Sequence, residues 1–372
     1  MITEGTRIGV LNWWSGQWRG PTVFVVRDGL LHPQVSAAGR EAFDASDVDI
    51  ELPGTLFARL TDHHVHLGLA RPESLLEAGI TTVVDLGWNP EQASAWHSAS
   101  VFPGSTLPEV RIAGAFLSCP GGYPSAAEWA PVGTTLELET TEQAVEAVNA
   151  QLATGASVIK VMLNSDAGPV LSDDMVNAII EAASPHGVPV VAHVQGPGQA
   201  ARGLAAGVSA FAHAPFTEAL DDTLLAQMVR AGLAWVSTID IHGWGQPTPE
   251  RAIAIDNVRR FAALGGRVLY GTDLGNGPVP NGVNERELLA LAEAGLTPDA
   301  LVASIATNLH QVPIGPRFAW VPGEPPRHSG TGPSTSTSTE AGSPHDTSSI
   351  AMARWLAGAR GTTIDYLEET LP

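Results

Sequence analysis

The stretch Ala156-Ser157-Val158-Ile159-Lys160-Val161-Met162 is a short apolar run rich in β-branched residues, and it reads as a buried strand. Its one charged residue stands out from the rest of the chain. Of 19 basic side chains, Lys160 is the only lysine, and all the others are arginine. Arginine holds its proton too firmly to serve as a neutral amine, whereas a buried lysine can lose its proton and react. One such reaction is with carbon dioxide. It gives a carbamate, a carboxylate on a long stem that can bridge two metal ions. The plainer reading is a lysine that pairs with an acid at a strand end.

Similar apolar runs recur on both sides, at 57–61, 80–85, 110–116, 157–162, 188–193, 208–213, 233–238 and 267–272. Most intervals between them carry a helical pattern. Ser172 can cap a helix that buries Met175, Val176, Ile179 and Ile180. Residues 221–230 and 250–264 repeat the 3.6 spacing, and Thr297-Pro298 reads as an N-cap followed by proline in the first turn. The interval after 116 is long enough for a substrate loop as well as a helix around 141–153. Eight strands alternating with helices predict an α/β chain folded as a (β/α)8 TIM barrel over 59–307.

The flanking segments read differently. Residues 1–58 are strand-like and turn-rich, with Trp13, Trp14 and Trp18 as bulk for a small β core. Residues 308–327 hold Arg317-Phe318-Ala319-Trp320-Val321-Pro322-Gly323, a candidate strand returning to that core. The expected small domain is thus a β-sandwich, partly eroded, built from both ends of the chain. Residues 328–348 are rich in Ser, Thr, Gly and Pro and read as a disordered linker. Residues 349–372 have helical composition.

Composition narrows the function classes. The chain has 372 residues, 44% hydrophobic and 16% charged, and no run approaches the ~18 apolar residues of a membrane span. The start, Met1-Ile2-Thr3-Glu4-Gly5, shows no secretory signal, so a cytoplasmic protein is expected. Cys119 is the only cysteine, which excludes a disulfide framework and a thiolate metal cage. A formal net charge of -20 argues against nucleic acid or an anionic membrane as partner. A small-molecule substrate is the expected partner, and a homo-oligomer is left open.

In a barrel of this kind chemistry lies at the C-terminal ends of the strands. Those ends hold a consistent set of residues. The first reads Asp62-His63-His64-Val65-His66, where His64 and His66 at i and i+2 point the same way. The fourth carries Lys160, the fifth His193, the sixth His213 and the eighth Asp273. Imidazole and carboxylate ligands suit zinc and related divalent metals.

On Asp62-His63-His64-Val65-His66, Val158-Ile159-Lys160-Val161-Met162, Val191-Ala192-His193, Phe211-Ala212-His213-Ala214 and Gly271-Thr272-Asp273, the chain resembles the amidohydrolase superfamily. The likeness is to its imidazolonepropionase-like and metal-dependent dipeptidase-like branch, over roughly residues 20–310. The resemblance implies two divalent ions, zinc first, with manganese, iron or cobalt as alternatives. His64, His66 and Asp273 would hold one ion, His193 and His213 the other, and a carbamate on Lys160 would bridge them. It also implies a hydrolase of an amide or cyclic amide C–N bond in a dipeptide, N-acyl amino acid or lactam. Metal-activated hydroxide would attack, with Asp273 moving the proton and Asp62 orienting a ligand histidine.

No Gly-x-Ser-x-Gly elbow is present, so the reaction is expected to use neither a serine nor a cysteine nucleophile. Tyr123, after the third strand, and His242, after the seventh, are the candidate substrate contacts. Trp244 and the rim segment 275–281 stand beside them. The competing readings are a mononuclear deaminase with Lys160 unmodified and a catalytically inactive binding protein on the same scaffold.

Overall fold

The computed structural model of the chain describes residues 2–34, 45–102, 104–306, 313–326 and 347–371. Its order of elements is mixed α/β, organised in three sheets. One is a seven-stranded parallel sheet, in the order Thr135–Glu137, Phe116–Ser118, Ile159–Asn164, Val190–Gln195, Ala210–Phe211, Ala234–Val236 and Arg267–Leu269. A second parallel sheet has three strands, Thr61–Val65, Thr82–Asp85 and Glu109–Ile112. The third is a largely antiparallel seven-stranded sheet made from both ends of the chain.

The strand holding Lys160 is buried along its whole length, as its composition requires. Most helices flanking the parallel strands begin at side-chain caps, Gln199–Ala206 with its Gly198 cap being an exception. Ser172 accepts from Met175 N and Thr297 from Ala300 N, satisfying donors that have no partner within the helix. A stack of Trp235 on Phe261, centroids 3.9 Å apart, fills the space between a strand and its helix. No helix among the described residues is long and apolar enough to cross a membrane.

The first barrel-type strand differs from the sequence expectation. The apolar residues up to Phe57 end a strand of the terminal sheet, Ile50–Phe57. The next strand is Thr61–Val65, made of Thr-Asp-His-His-Val and mostly buried. Its polar side chains hide it from an apolar pattern, and they are buried because distant partners satisfy them. Two seams join the parallel sheets. His66 N donates to Leu274 O and Asp273 N to His64 O, both at 2.8 Å, while Ser157 N donates to Ile112 O at 3.0 Å.

The terminal sheet has two faces. Ile8, Val10, Phe24, Leu56, Phe318 and Trp320 fill one, with Trp13 edge-on to Phe24 at 5.3 Å. Trp14 and Trp18 turn to the other face, where Phe57 and Trp355 join them. Thus the tryptophans serve packing on both sides. The linker expected at 328–348 lies outside the described residues except for its last two, which begin the helix Thr347–Leu356. Beyond that helix the helical reading holds again only at Ile364–Tyr366 and Leu367–Thr370. Arg360–Thr363 is an edge strand paired antiparallel with Arg317–Pro322.

The helix Thr347–Leu356 packs on Glu285–Glu293 and Pro298–Ile305. Trp355 Nε1 donates to Pro322 O at 3.0 Å, fixing the helix to the terminal sheet. Leu356 is fully buried there. Leu356→Ala should therefore cost about 2–5 kcal/mol of stability, read as a lower denaturant midpoint in urea unfolding. An unchanged midpoint would mean that the C-terminal segment is not part of the cooperative fold.

Candidate metal centre

The seam between Thr61–Val65 and the segment after Arg267–Leu269 builds one side of the site. Asp62, buried, accepts from Thr272 N at 3.0 Å, from Thr272 Oγ1 and from His64 N at 3.1 Å. It therefore holds backbone and a hydroxyl, rather than an imidazole as the sequence suggested. Gly271 is needed for this approach, since a Cβ there would stand 2.3 Å from Val236 Cγ1 and 3.1 Å from His64 N. Asp273 adopts φ 54°, in the left-handed region that most residues avoid. Its amide bond to His64 O secures it there.

His64, His66 and Asp273 meet at a point. His64 Nε2 and His66 Nε2 are 3.2 Å apart, and they lie 3.1 Å and 3.2 Å from Asp273 Oδ1. The remote ring nitrogens are committed. His64 Nδ1 is 2.8 Å from Ala212 O and His66 Nδ1 is 3.1 Å from Gly87 O. A carbonyl only accepts, so the hydrogen sits on Nδ1 and the lone pair on Nε2. Oδ1 is buried, and neither ring is aimed at it as a hydrogen-bond donor. Two lone pairs and a carboxylate oxygen therefore face one another without a proton between them. Ligand atoms on an ion with bonds of about 2.0–2.2 Å stand roughly 3–3.5 Å apart, so the triangle fits a divalent cation.

The remaining predicted ligands border the same space. A ligand atom of His213 lies within 4.8 Å of one each from His64 and Asp273. The ring of His213 is centred 4.7 Å from His64 and 4.7 Å from His193. Again the spare atom is held. His213 Nδ1 is 2.8 Å from Thr238 Oγ1 and His193 Nε2 is 3.0 Å from Gln195 Oε1. Asn164 Nδ2 donates to that same Oε1 at 3.0 Å, so the Gln195 oxygen faces the histidine. This leaves Nε2 of His213 and Nδ1 of His193 available. Asn276 Nδ2 donates to Asp273 Oδ2 at 3.0 Å, leaving Oδ1 for the cluster. Ligand histidines are oriented by hydrogen bonds of this kind.

Burial pushes His64 and His213 well below the ordinary imidazole range, outweighing the pull of Asp273, and brings His193 down to about 4. These three rings are thus neutral, the state that binds metal. Burial opposes ionisation of Asp273, and positive charge at His64 and His66 is what would hold it well below the usual carboxylate range, a role that passes to a bound cation when the rings are neutral. Lys160 is 1% exposed, and burial lowers its amine to about 7 against the attraction of Asp273 and Asp85. Near neutral pH much of it is an unprotonated amine.

These groups open into a cavity of about 240 Å3. His66, Lys160, His193 and Asp273 form its floor, and Phe116, Tyr123, Trp129, Met162 and Leu69 its walls. Segment 275–277 supplies the rim, as its position after Asp273 suggested. His242 is not among the lining residues. Its ring lies on Phe216, centroids 4.1 Å apart, and Phe216 in turn meets His213 edge-on. Trp244 is part exposed, and its Nε1 donates to Asn276 O at 3.4 Å.

Several functional residues escaped the sequence reading. Gln195 sits two residues after His193 on the same strand, and that spacing was a usable signal. Thr238, Asn276 and Trp129 offered none, because their roles come from loop geometry. Neither did Glu287, which is fully buried in a helix. Its carboxylate accepts from Ile239 N at 3.0 Å and Asp240 N at 2.7 Å. It thereby holds the backbone just after Thr238, whose φ of 45° is strained for a β-branched residue.

No protein-family model matches the sequence, and no curated protein matches it. Solved structures do. A Xaa-Pro dipeptidase with methionine bound in its active site aligns with a TM-score of 0.70 at 19% identity, over 86% of this chain and 94% of that one. The A. niger ochratoxinase gives 0.68 at 19% identity, over 86% and 90%. A molinate hydrolase gives 0.68 at 14% identity, over 87% and 91%. At such identities the likeness is one of fold.

Burial raises the Glu287 carboxyl from 4.5 to about 7, against hydrogen bonds from Ser237 and the two amides. The folded state therefore prefers this group protonated. Its contribution is complete below pH 4.5 and is lost as pH rises through about 7, at most about 3 kcal/mol. Asp62, raised from 3.8 to about 7 by burial, acts in the same direction. His64, His193 and His213, held below the imidazole range, act oppositely up to pH 6.5, so the readable quantity is a difference. Between pH 4.5 and about 7 the melting temperature of metal-free wild type should fall relative to that of Glu287→Gln. Equal slopes in the two proteins would show that Glu287 does not titrate there.

Proposed function

We propose that this protein is a binuclear metal-dependent hydrolase of amide or cyclic amide C–N bonds, built on a closed (β/α)8 barrel. The two seams support closure, since they link the three-stranded and seven-stranded parallel sheets at both edges. Strand three would then be Glu109–Ile112 continued by Phe116–Ser118, each pairing with a different neighbour. The terminal sheet and the helix Thr347–Leu356 would form one appended unit.

The observation that carries the functional reading is the Nε2–Nε2–Oδ1 triangle, with every spare ligand atom committed elsewhere. We assign His64, His66 and Asp273 to one ion, His193 and His213 to a second, and a carbamate on Lys160 to both. The carbamate forms when the neutral amine adds to carbon dioxide and releases one proton, and the lowered basicity of Lys160 favours it. A buried ammonium without a hydrogen-bond partner would be costly. A carbamate held between cations is not.

Divalent ions held there, zinc first, would lower the pKa of water towards about 7 and polarise a substrate carbonyl. Asp273 Oδ1 faces that space and takes a proton from the attacking water, then delivers it to the leaving nitrogen. Asn276 keeps the carboxylate from turning. Tyr123 keeps its proton, since burial pushes it to about 12, and presents a hydroxyl donor from the wall to the substrate. His242, behind Phe216, backs the His213 side. The cavity lies below the usual 300–1,000 Å3 range, so the substrate is small.

Metal analysis of purified protein should give near two ions per chain, and near one would favour a mononuclear deaminase. Asp273→Asn should lower kcat roughly 100- to 10,000-fold. Lys160→Ala should lose activity and recover part of it with short carboxylic acids. Full activity in Lys160→Arg would end the carbamate assignment, because a guanidinium cannot form it.

A further inference from the structure

We infer that the substrate is an uncharged amide bearing an aromatic or compact apolar group, in preference to a free dipeptide or any other carboxylate. The inference rests on the hydrolase reading and adds the chemical class that the cavity walls select.

The wall facing the metal ligands is a continuous aromatic surface. Trp129 is its hub, with its ring centred 5.8 Å from Phe116 and at 89° to it, 6.1 Å from Tyr123 and 6.0 Å from His66. Tyr123 continues to His193 at 5.4 Å. The aromatic surface therefore reaches ligands assigned to both ions, and a planar group seated on it lies beside the reacting centre. Met162 and Leu69 complete the enclosure with flexible apolar surface.

Charge selects in the same direction. Among the described lining residues the only cationic side chain is Lys160, which becomes an anion on carbamylation. Arg286, near the rim, is already engaged. Its Nε lies 2.9 Å from Asp240 Oδ1 and its NH2 group 3.1 Å from Pro278 O. A carboxylate carried beyond the scissile amide, onto the aromatic wall, would lose water and gain no guanidinium there, while the ions are engaged by the reacting amide. The formal net charge of -20 adds a long-range field that slows approach of anions. The wall's polar group, the Tyr123 hydroxyl, suits a carbonyl oxygen.

The test compares acetanilide with 4-acetamidobenzoate, which share the scissile amide and differ by one carboxylate. Metal-loaded protein is assayed for kcat/KM by amine release and for Kd by calorimetry. Acetanilide should bind, and exceed the anion by at least about tenfold in both measures. Leu69 is 41% exposed at the rim, so Leu69→Arg should fold and shift the ratio towards the anion. Trp129→Ala should weaken acetanilide binding by about tenfold with metal content unchanged. Equal or better use of the anion, or no binding of acetanilide, overturns the inference. Binding of acetanilide without turnover would instead overturn the hydrolase reading and leave the pocket assignment standing.

Discussion

The carboxylate of Asp62 joins its strand to a segment at Thr272, 210 positions away in the chain. By accepting from His64 N, Thr272 N and Thr272 Oγ1, it fixes the register between Thr61–Val65 and the segment that carries Asp273. A shift of one residue would turn His64 and His66 away from Asp273, because side chains alternate along a strand. The Nε2–Nε2–Oδ1 triangle is therefore a consequence of one register. An ion placed on it would in turn reinforce the seam, since ligands from both strands would share it.

The second constraint is desolvation. Four imidazoles, an acid and an amine are buried within one small region, and each would lose stability there without a partner. The fold meets this by tying the outer atom of each ligand and leaving the inner one directed at the cavity. Ala212 O, Gly87 O, Thr238 Oγ1, Gln195 Oε1 and Asn276 Nδ2 come from five different segments. Such wide sourcing makes orientation a property of the whole fold. Lys160 stands apart, with its nitrogen held by none of these groups, and its chemistry accounts for the difference if carbon dioxide supplies the missing atoms.

What the sequence disclosed follows from what burial does to composition. Strands covered on both faces are apolar throughout, so Ile159–Asn164 and Val190–Gln195 stood out and their ligand residues with them. The strand Thr61–Val65 was misplaced because its buried side chains are polar, and their partners are far along the chain. Arg360–Thr363, Arg-Gly-Thr-Thr, has no apolar residue and becomes a strand only because Arg317–Pro322 offers an edge. The His-x-His spacing survived the misplacement, since alternation along a strand is independent of where the strand begins. Trp129 had no pattern to announce it. Its loop is ordered by ring contacts that exist only in the folded chain.

Strain and support complete the picture. Thr238 and Asp273 both sit at positive φ, and the side chain of each bonds or abuts a histidine of the candidate site. Strain of about 1–3 kcal/mol at each is tolerable only where neighbours over-determine the backbone. Around Thr238 those neighbours are Gly271 O, bonded to its own amide, and the two oxygens of Glu287 on the amides that follow. Around Asp273 they are His64 O and the turn closed by Asn276 N on Asp273 O. Glu287 lies in the helix Glu285–Glu293, on which the C-terminal helix Thr347–Leu356 packs. Chain added after the parallel strands thus buttresses the helix that restrains the loop whose Thr238 orients His213. The helix Thr347–Leu356, which is not among the described lining residues of the cavity, has a physical route by which it can influence the geometry of His213.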